Sequence, residues 1–250
     1  MNRLTVSLGK WLAAYLTKEI RVSSTAPPSD PLHLQETLRP GDVLLIEGLT
    51  RISTAIKYLT QSTWSHAALF IGENRLGATA PLDHCLIEAD PLRGVCSTSL
   101  DLYARLHTRI CRPIGLNDKE SETLIQFAIS QIGHQYDLRN VFDLARYLLP
   151  TPPVPSRYRR KLLALGSGDP TRAICSTLIA QAFATVHYPI LARDSSASPT
   201  LNPEPFEPQR FQPKHHSLLT PRDFDVSPYF AIIKPTLEGG FNFHDLEWDQ

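Results

Sequence analysis

The stretch TWSHAALFIG, Thr63 to Gly72, decides how the rest of the chain reads. If Ser65 to Ile71 is a strand, His66, Ala68 and Phe70 point to one side, and Ala67, Leu69 and Ile71 to the other, because side chains alternate along an extended chain. Both sides are then apolar, the pattern of a strand buried on two faces. A histidine in such a strand is partly desolvated, and its ring nitrogens need partners. Taken by itself, His66 is more often a satisfied core histidine than a catalytic one.

CLIEAD, Cys85 to Asp90, offers a partner, because Glu88 follows Leu86 and Ile87 in a run too apolar to face solvent. An antiparallel pairing with His66 directly opposite Glu88 has paired positions that sum to 154 and a turn near Gly77, inside the polar segment ENRLG. The carboxylate then reaches the imidazole on a shared sheet face and leaves the second ring nitrogen free. Such a pair is the general-base half of a nucleophilic triad, and equally a structural pair that stabilises a sheet. These residues alone leave both readings open.

The neighbouring segments predict a small antiparallel sheet with helices, an α+β fold. LRPGDVLLIEG gives a turn at Pro40-Gly41 and a central strand at Val43 to Ile46, Asp42 serving as an anchor of that strand. Ser53 to Thr60 has helical spacing, GVCST and HTRICRP read as further strands, and SPYFAIIKP supplies a last one. Two more helices are expected, Lys119 to Ile132 stopped by Gly133, and Leu138 to Leu149 stopped by Pro150 and TPPVP. In ICSTLIAQAFATV, residues Cys175, Leu178, Ile179, Ala182, Phe183 and Val186 fall on one helical face with Cys175 at its N-terminal end.

That placement makes Cys175 the candidate nucleophile. Oriented N–H groups and the positive end of a helix dipole favour thiolate over thiol and can hold an oxyanion beside the sulfur. The structural alternative is that Cys175 is a buried apolar residue, as free cysteine commonly is. Cys85, Cys96 and Cys111 sit in strand-like runs where nothing would activate a thiol.

Composition narrows the function classes. The 25 basic and 25 acidic residues cancel, so there is no global footprint for nucleic acid, and no nucleic-acid partner is expected. The four cysteines show no C-x-x-C pairing and read as reduced thiols. No phosphate-binding loop, dinucleotide fingerprint or H-E-x-x-H occurs. LGSGDP lacks the spacing of a serine elbow, and His215-His216 is a weak metal signal, so no metal or organic cofactor is implied.

Residues 1–22 carry an amphipathic stripe through Leu4, Leu8, Trp11, Leu12, Tyr15 and Leu16, which suits a helix packed on the domain or one lying at a membrane surface. Neither a signal peptide nor a membrane-spanning stretch is expected there, since Lys10 interrupts the apolar run. The basic cluster Arg157 to Lys161 reads as a solvated helix end or as a contact with lipid headgroups. A cytoplasmic location is the expectation, with peripheral contact to an inner membrane through these two segments.

The order PGD-strand, W-S-H on a strand, I-E-A, G-x-Q-Y-D after a helix and I-C-S-x-L-I-A at a helix start resembles the circularly permuted papain-like amidases of the YiiX and YaeF type. These bacterial enzymes are related to NlpC cell-wall peptidases and to lecithin retinol acyltransferases, and carry the histidine strand before the cysteine helix. The resemblance covers roughly Arg39 to Pro189. It implies a permuted papain-like fold over residues 39–235, with Cys175 as nucleophile, His66 as base and Glu88 orienting the histidine. It further implies hydrolysis of an amide or ester through an acyl-enzyme, on a peptide, amide or lipid-ester substrate. A membrane-associated thiol acyltransferase and a non-catalytic binding module are the alternatives. Tyr136 and Asp137 match a family segment near the cleft without an assigned role. Residues 23–38 read as a linker, 150–156 and 192–219 as Pro-rich segments, and 236–250 as an acidic tail.

Overall fold

The computed structural model describes residues 26–77, 80–91, 93–134, 174–192 and 213–240, together with Tyr15, Lys18, Glu19, Ser24, Asn242 and His244. The expected helix Leu138 to Leu149, Tyr136-Asp137, the Arg157–Lys161 cluster and most of residues 1–22 lie outside them.

Six strands form one antiparallel sheet: β1 (Val43–Ile46), β2 (His66–Phe70), β3 (His84–Asp90), β4 (Gly94–Ser99), β5 (Thr108–Pro113) and β6 (Phe230–Ile233), in the order β4-β3-β2-β1-β5-β6. β1 and β2 are interior strands. Val43, Leu45, Ala67, Leu69, Ile87 and Ala89 enter one buried cluster, and Leu44, Ile46, Ala68, Phe70 and Leu86 enter another. A sheet with a core on each face is what strands without an exposed side require.

The first cluster is closed by α3 (Asp118–Ser130) and α4 (Ile174–Ala184), which pack on each other, with α4 lying on β2 and β3. Helix α3 begins with a capping box in which Asn117 and Glu120 bond each other's backbone N–H. It ends ahead of Gly133, whose φ of +89° suits the left-handed region. Helix α4 is buried on more than one side: Cys175, Ser176, Leu178, Ile179, Ala180, Ala182 and Phe183 are all covered. Phe183 meets Tyr188, Phe224 and Phe230 at centroid separations of 5.3, 6.4 and 5.2 Å.

The opposite face corrects one expectation. Residues 30–38, read as linker, form α1 (Pro31–Thr37) and its C-cap instead. Asp30 caps the helix by accepting from Leu32 and His33 N–H, Pro31 stands in its first turn, and Leu34 and Leu38, one turn apart, are buried in the second cluster with Leu100 and Tyr103. Asp42 anchors the start of β1 as expected, accepting from Arg39 N–H and from the Arg112 guanidinium at 2.8–3.2 Å.

Helix α2 (Arg51–Thr60) follows β1 through Gly48, where a side chain has no room: a Cβ there would stand 2.2 Å from Ser53 Oγ and 2.9 Å from Ser65 Oγ. Tyr15 lies under the Arg51 guanidinium at 4.2 Å. Two short helices, α5 (Pro221–Asp225) and α6 (Pro235–Glu238), flank β6. Among the described residues no helix is long and apolar enough to cross a membrane.

Candidate active site

His66 is the first residue of β2, so its ring sits where the strand ends rather than in the middle of the sheet. The pairing of β2 with β3 differs from expectation. Leu69 stands opposite Ile87 and Phe70 opposite Leu86, so paired positions sum to 156 and not 154. His66 is therefore offset by one diagonal step from Glu88. A shift of two preserves the side to which each residue points, because the side-chain period is two. Diagonal neighbours remain within reach of long side chains, and His66 Nε2 meets Glu88 Oε2 at 2.8 Å.

Glu88 is 2% exposed, and three further groups converge on it. The Tyr103 hydroxyl donates to Oε2, the Arg93 guanidinium donates to Oε1 at 2.9 Å, and Cys96 Sγ lies 4.0 Å from Oε1. Burial alone would raise the pKa of this carboxyl. The bonds from His66 and Tyr103 and the charges of His66 and Arg93 outweigh it and hold the group below its ordinary value. Asp42 at the other end of the sheet shows the opposite balance, since burial outweighs Arg112 and raises its carboxyl.

For His66, burial again disfavours the charged form. The neighbouring Cys175 sulfur is the largest opposing influence, followed by Glu88, and together they raise the imidazole well above its ordinary 6.5. With Nε2 committed to Glu88, the ring nitrogen left for the thiol is Nδ1. Cys175, the second residue of α4, is 5% exposed. The structure thus joins His66 to Glu88 directly and places the Cys175 sulfur where it influences the same imidazole.

The other three thiols are all shifted upward. Burial raises Cys85 and Cys111, and burial with the nearby Glu88 charge pushes Cys96 up to about 11. Tyr103 is pushed far up by burial and by the Glu88 charge, so its hydroxyl keeps its proton and donates.

Sequence reasoning passed over Arg93 and Tyr103. Arg93 sits in the β3–β4 turn and Tyr103 in a 3₁₀ turn, Leu100–Tyr103, where no periodicity marks a residue as facing a neighbour. It also passed over Glu47, which is fully buried beyond β1 and bonded by Lys57 Nζ at 3.2 Å, His107 Nδ1 at 3.3 Å and Ser24 Oγ at 2.8 Å. Among the described residues no group of three or more His, Cys, Asp or Glu is arranged to hold a metal ion.

Comparison with known proteins agrees with the motif order. The family described as "Permuted papain-like amidase enzyme, YaeF/YiiX, C92 family" matches residues 37–147, which include His66 and Glu88 and stop short of Cys175. The curated "Probable lipoprotein peptidase YaeF" of Escherichia coli (strain K12) is 24% identical over 177 residues, 65% of this chain. The chain spans 61% of that relative's length. The crystal structure of metalloprotein yiiX from Escherichia coli O157:H7 aligns with 78% of this chain and 96% of its own at 15% identity and a TM-score of 0.40, a likeness too slight to carry an argument. The chain is similar to the YaeF/YiiX type of permuted papain-like amidase, and both the family and the curated relative are peptidase or amidase enzymes by description.

Proposed function

We propose, from that likeness, that the protein is a cysteine-dependent amidase or peptidase in which Cys175, His66 and Glu88 act as a triad. The observation that carries the proposal is the single imidazole bonded at Nε2 to a buried carboxylate and raised in pKa by the Cys175 sulfur. In this reading the thiolate attacks the carbonyl carbon of an amide, and the electron pair of the C=O bond moves onto oxygen. The N–H groups at the start of α4 and the positive end of its dipole stabilise that oxyanion. Collapse re-forms the carbonyl and breaks the C–N bond, while the imidazolium gives its Nδ1 proton to the departing nitrogen. The product is a thioester on Cys175 and a free amine. Water then attacks the thioester, loses its proton to His66 and releases a carboxylic acid and the thiolate.

Glu88 orients the ring throughout and balances the imidazolium charge, as the carboxylate of a Ser-His-Asp triad does. An acyl acceptor other than water would make the same thioester a transfer intermediate, and a lipid ester would serve as acyl donor by the same steps.

Intact-mass measurement after incubation with bacterial peptide and lipid extracts tests the proposal. An acyl adduct on Cys175 that disappears in Cys175→Ala and His66→Ala supports it, and the adduct mass identifies the acyl group. A Cys175 alkylated by iodoacetamide no faster at pH 6 than a peptide thiol, with no adduct from any extract, refutes it.

A further inference from the structure

We infer that Tyr103 and Arg93 are positioning residues that hold Glu88 as a carboxylate turned toward His66. Glu88 Oε2 is shared by two donors, the His66 ring and the Tyr103 hydroxyl, while Oε1 is held by Arg93. The two oxygens are therefore secured from different elements, and rotation of the carboxylate about its last bond breaks both attachments. Tyr103 is suited to this work because it is rigid. Its 3₁₀ turn is capped by Ser99, which accepts from Asp101 N–H; Leu100 and Tyr103 are buried; and the phenol ring lies 6.0 Å from the His66 ring at a 45° tilt. Arg93 is fixed differently. Its backbone N–H bonds Asp90 Oδ1 at 2.7 Å, and its side chain, 51% exposed, crosses to Glu88 from the solvent side.

The charged and titratable groups that face Glu88 are His66 from β2, Arg93 from the β3–β4 turn, Cys96 from β4 and Tyr103 from the 3₁₀ turn, with Asp90 next to Arg93 on the far side. A donor bonded to a carboxylate favours its ionised form, so removing either donor lets Glu88 take up a proton at higher pH. A protonated Glu88 no longer balances a charged imidazole. The inference rests on the proposed cysteine mechanism only for its kinetic consequence, and the test separates the two.

His66 ring ¹H–¹⁵N NMR spectra of the full chain, followed from pH 8 to pH 3, report the acid-side inflection at which Glu88 becomes protonated. In Tyr103→Phe and Arg93→Gln this inflection moves to higher pH, and in Arg93→Lys it moves less than in Arg93→Gln, because the charge stays while the planar fork is lost. Alkylation of Cys175 near pH 5 falls roughly tenfold in Tyr103→Phe, the consequence of one lost charge-assisted hydrogen bond. An inflection at the wild-type pH in both Tyr103→Phe and Arg93→Gln overturns the inference. If Tyr103→Phe does not fold, the two Arg93 variants decide, since that half-exposed side chain tolerates exchange. Shifted inflections in a protein whose wild-type Cys175 alkylates no faster than a peptide thiol overturn the cysteine mechanism and leave the positioning role standing.

Discussion

Replacing Glu88 with Gln keeps the shape of the side chain and removes its charge. The carboxylate is 2% exposed and receives donors at both oxygens: His66 at 2.8 Å and Tyr103 on Oε2, Arg93 at 2.9 Å on Oε1. An amide offers one accepting oxygen and a donating NH₂. Whichever way it turns, the NH₂ confronts at least one donor, Arg93 in one orientation and the His66–Tyr103 pair in the other. Removing one partner from a buried ion pair costs about 3–5 kcal/mol. The Arg93 contribution is discounted because that guanidinium is half exposed, so the lower end, about 3 kcal/mol at pH 6, is the expected loss. With a slope near the upper end of the usual urea range, about 3 kcal/mol per molar, the unfolding midpoint falls by about 1 M. Alkylation of Cys175 by iodoacetamide at pH 6 slows at least about tenfold in the same variant, because the imidazolium has lost its counter-charge. A Gln variant with the wild-type midpoint and the wild-type alkylation rate refutes the reasoning. A lowered midpoint with an unchanged rate removes Glu88 from the thiol's chemistry and leaves it a structural group.

Three further outcomes are expected. The His66 imidazole is raised above 6.5, so its stabilisation is fully present below pH 6.5 and is lost as pH rises through the folded value. The Glu88 carboxyl is lowered from 4.5, so its stabilisation is present above pH 4.5 and is lost as pH falls through the folded value. The difference in unfolding free energy between wild type and His66→Gln should therefore shrink as pH climbs from 6.5, and a constant difference in urea titrations at several pH values contradicts the assignment. Phe183→Ala opens a cavity among three aromatic neighbours and costs about 3–5 kcal/mol, seen in calorimetry as a fall in Tm of more than about 6 °C; an unchanged Tm contradicts the packing. Gly48→Ala forces a Cβ against Ser53 and Ser65 and destabilises by about 1–3 kcal/mol, and Ser53→Gly in the same chain recovers part of the lost Tm; a Gly48→Ala protein that melts with wild type shows the space to be open.

The strands were legible because their hydrophobic runs are complete. VLLI and HAALF lack a polar face, and a sheet covered on both sides is the arrangement that such runs require. The His66–Glu88 contact was legible for a related reason: both are isolated polar residues in apolar runs, so each needed the other. Their register was misjudged by two because the connection between β2 and β3 is a long loop, not a tight hairpin whose length fixes the pairing. The error left the face correct, which is why the contact survived it. Helix α1 was hidden by the Pro- and Ser-rich composition around it, although the Asp-Pro start and the Leu34–Leu38 spacing were already in the sequence. Tyr103 and Arg93 were hidden in another way. Each reaches Glu88 across a turn, and no local pattern records a tertiary hydrogen bond.

Among the described residues, the groups bonded to Glu88 belong to residues 66–103, which fold as the antiparallel run β2, β3, β4 and the 3₁₀ turn, whereas Cys175 arrives on a helix far downstream. Contacts between residues close in sequence cost less loop-closure entropy than distant ones and form sooner. During folding, the imidazole and its carboxylate can therefore be assembled while the cysteine is still on an undocked segment. Docking of α4 on β2 and β3 then brings the sulfur to the imidazole, and burst alkylation during refolding should rise only with that last step. On the proposed mechanism, reactivity is in this sense a property of the finished chain: a partly folded molecule has its proton acceptor in place and nothing yet for it to activate.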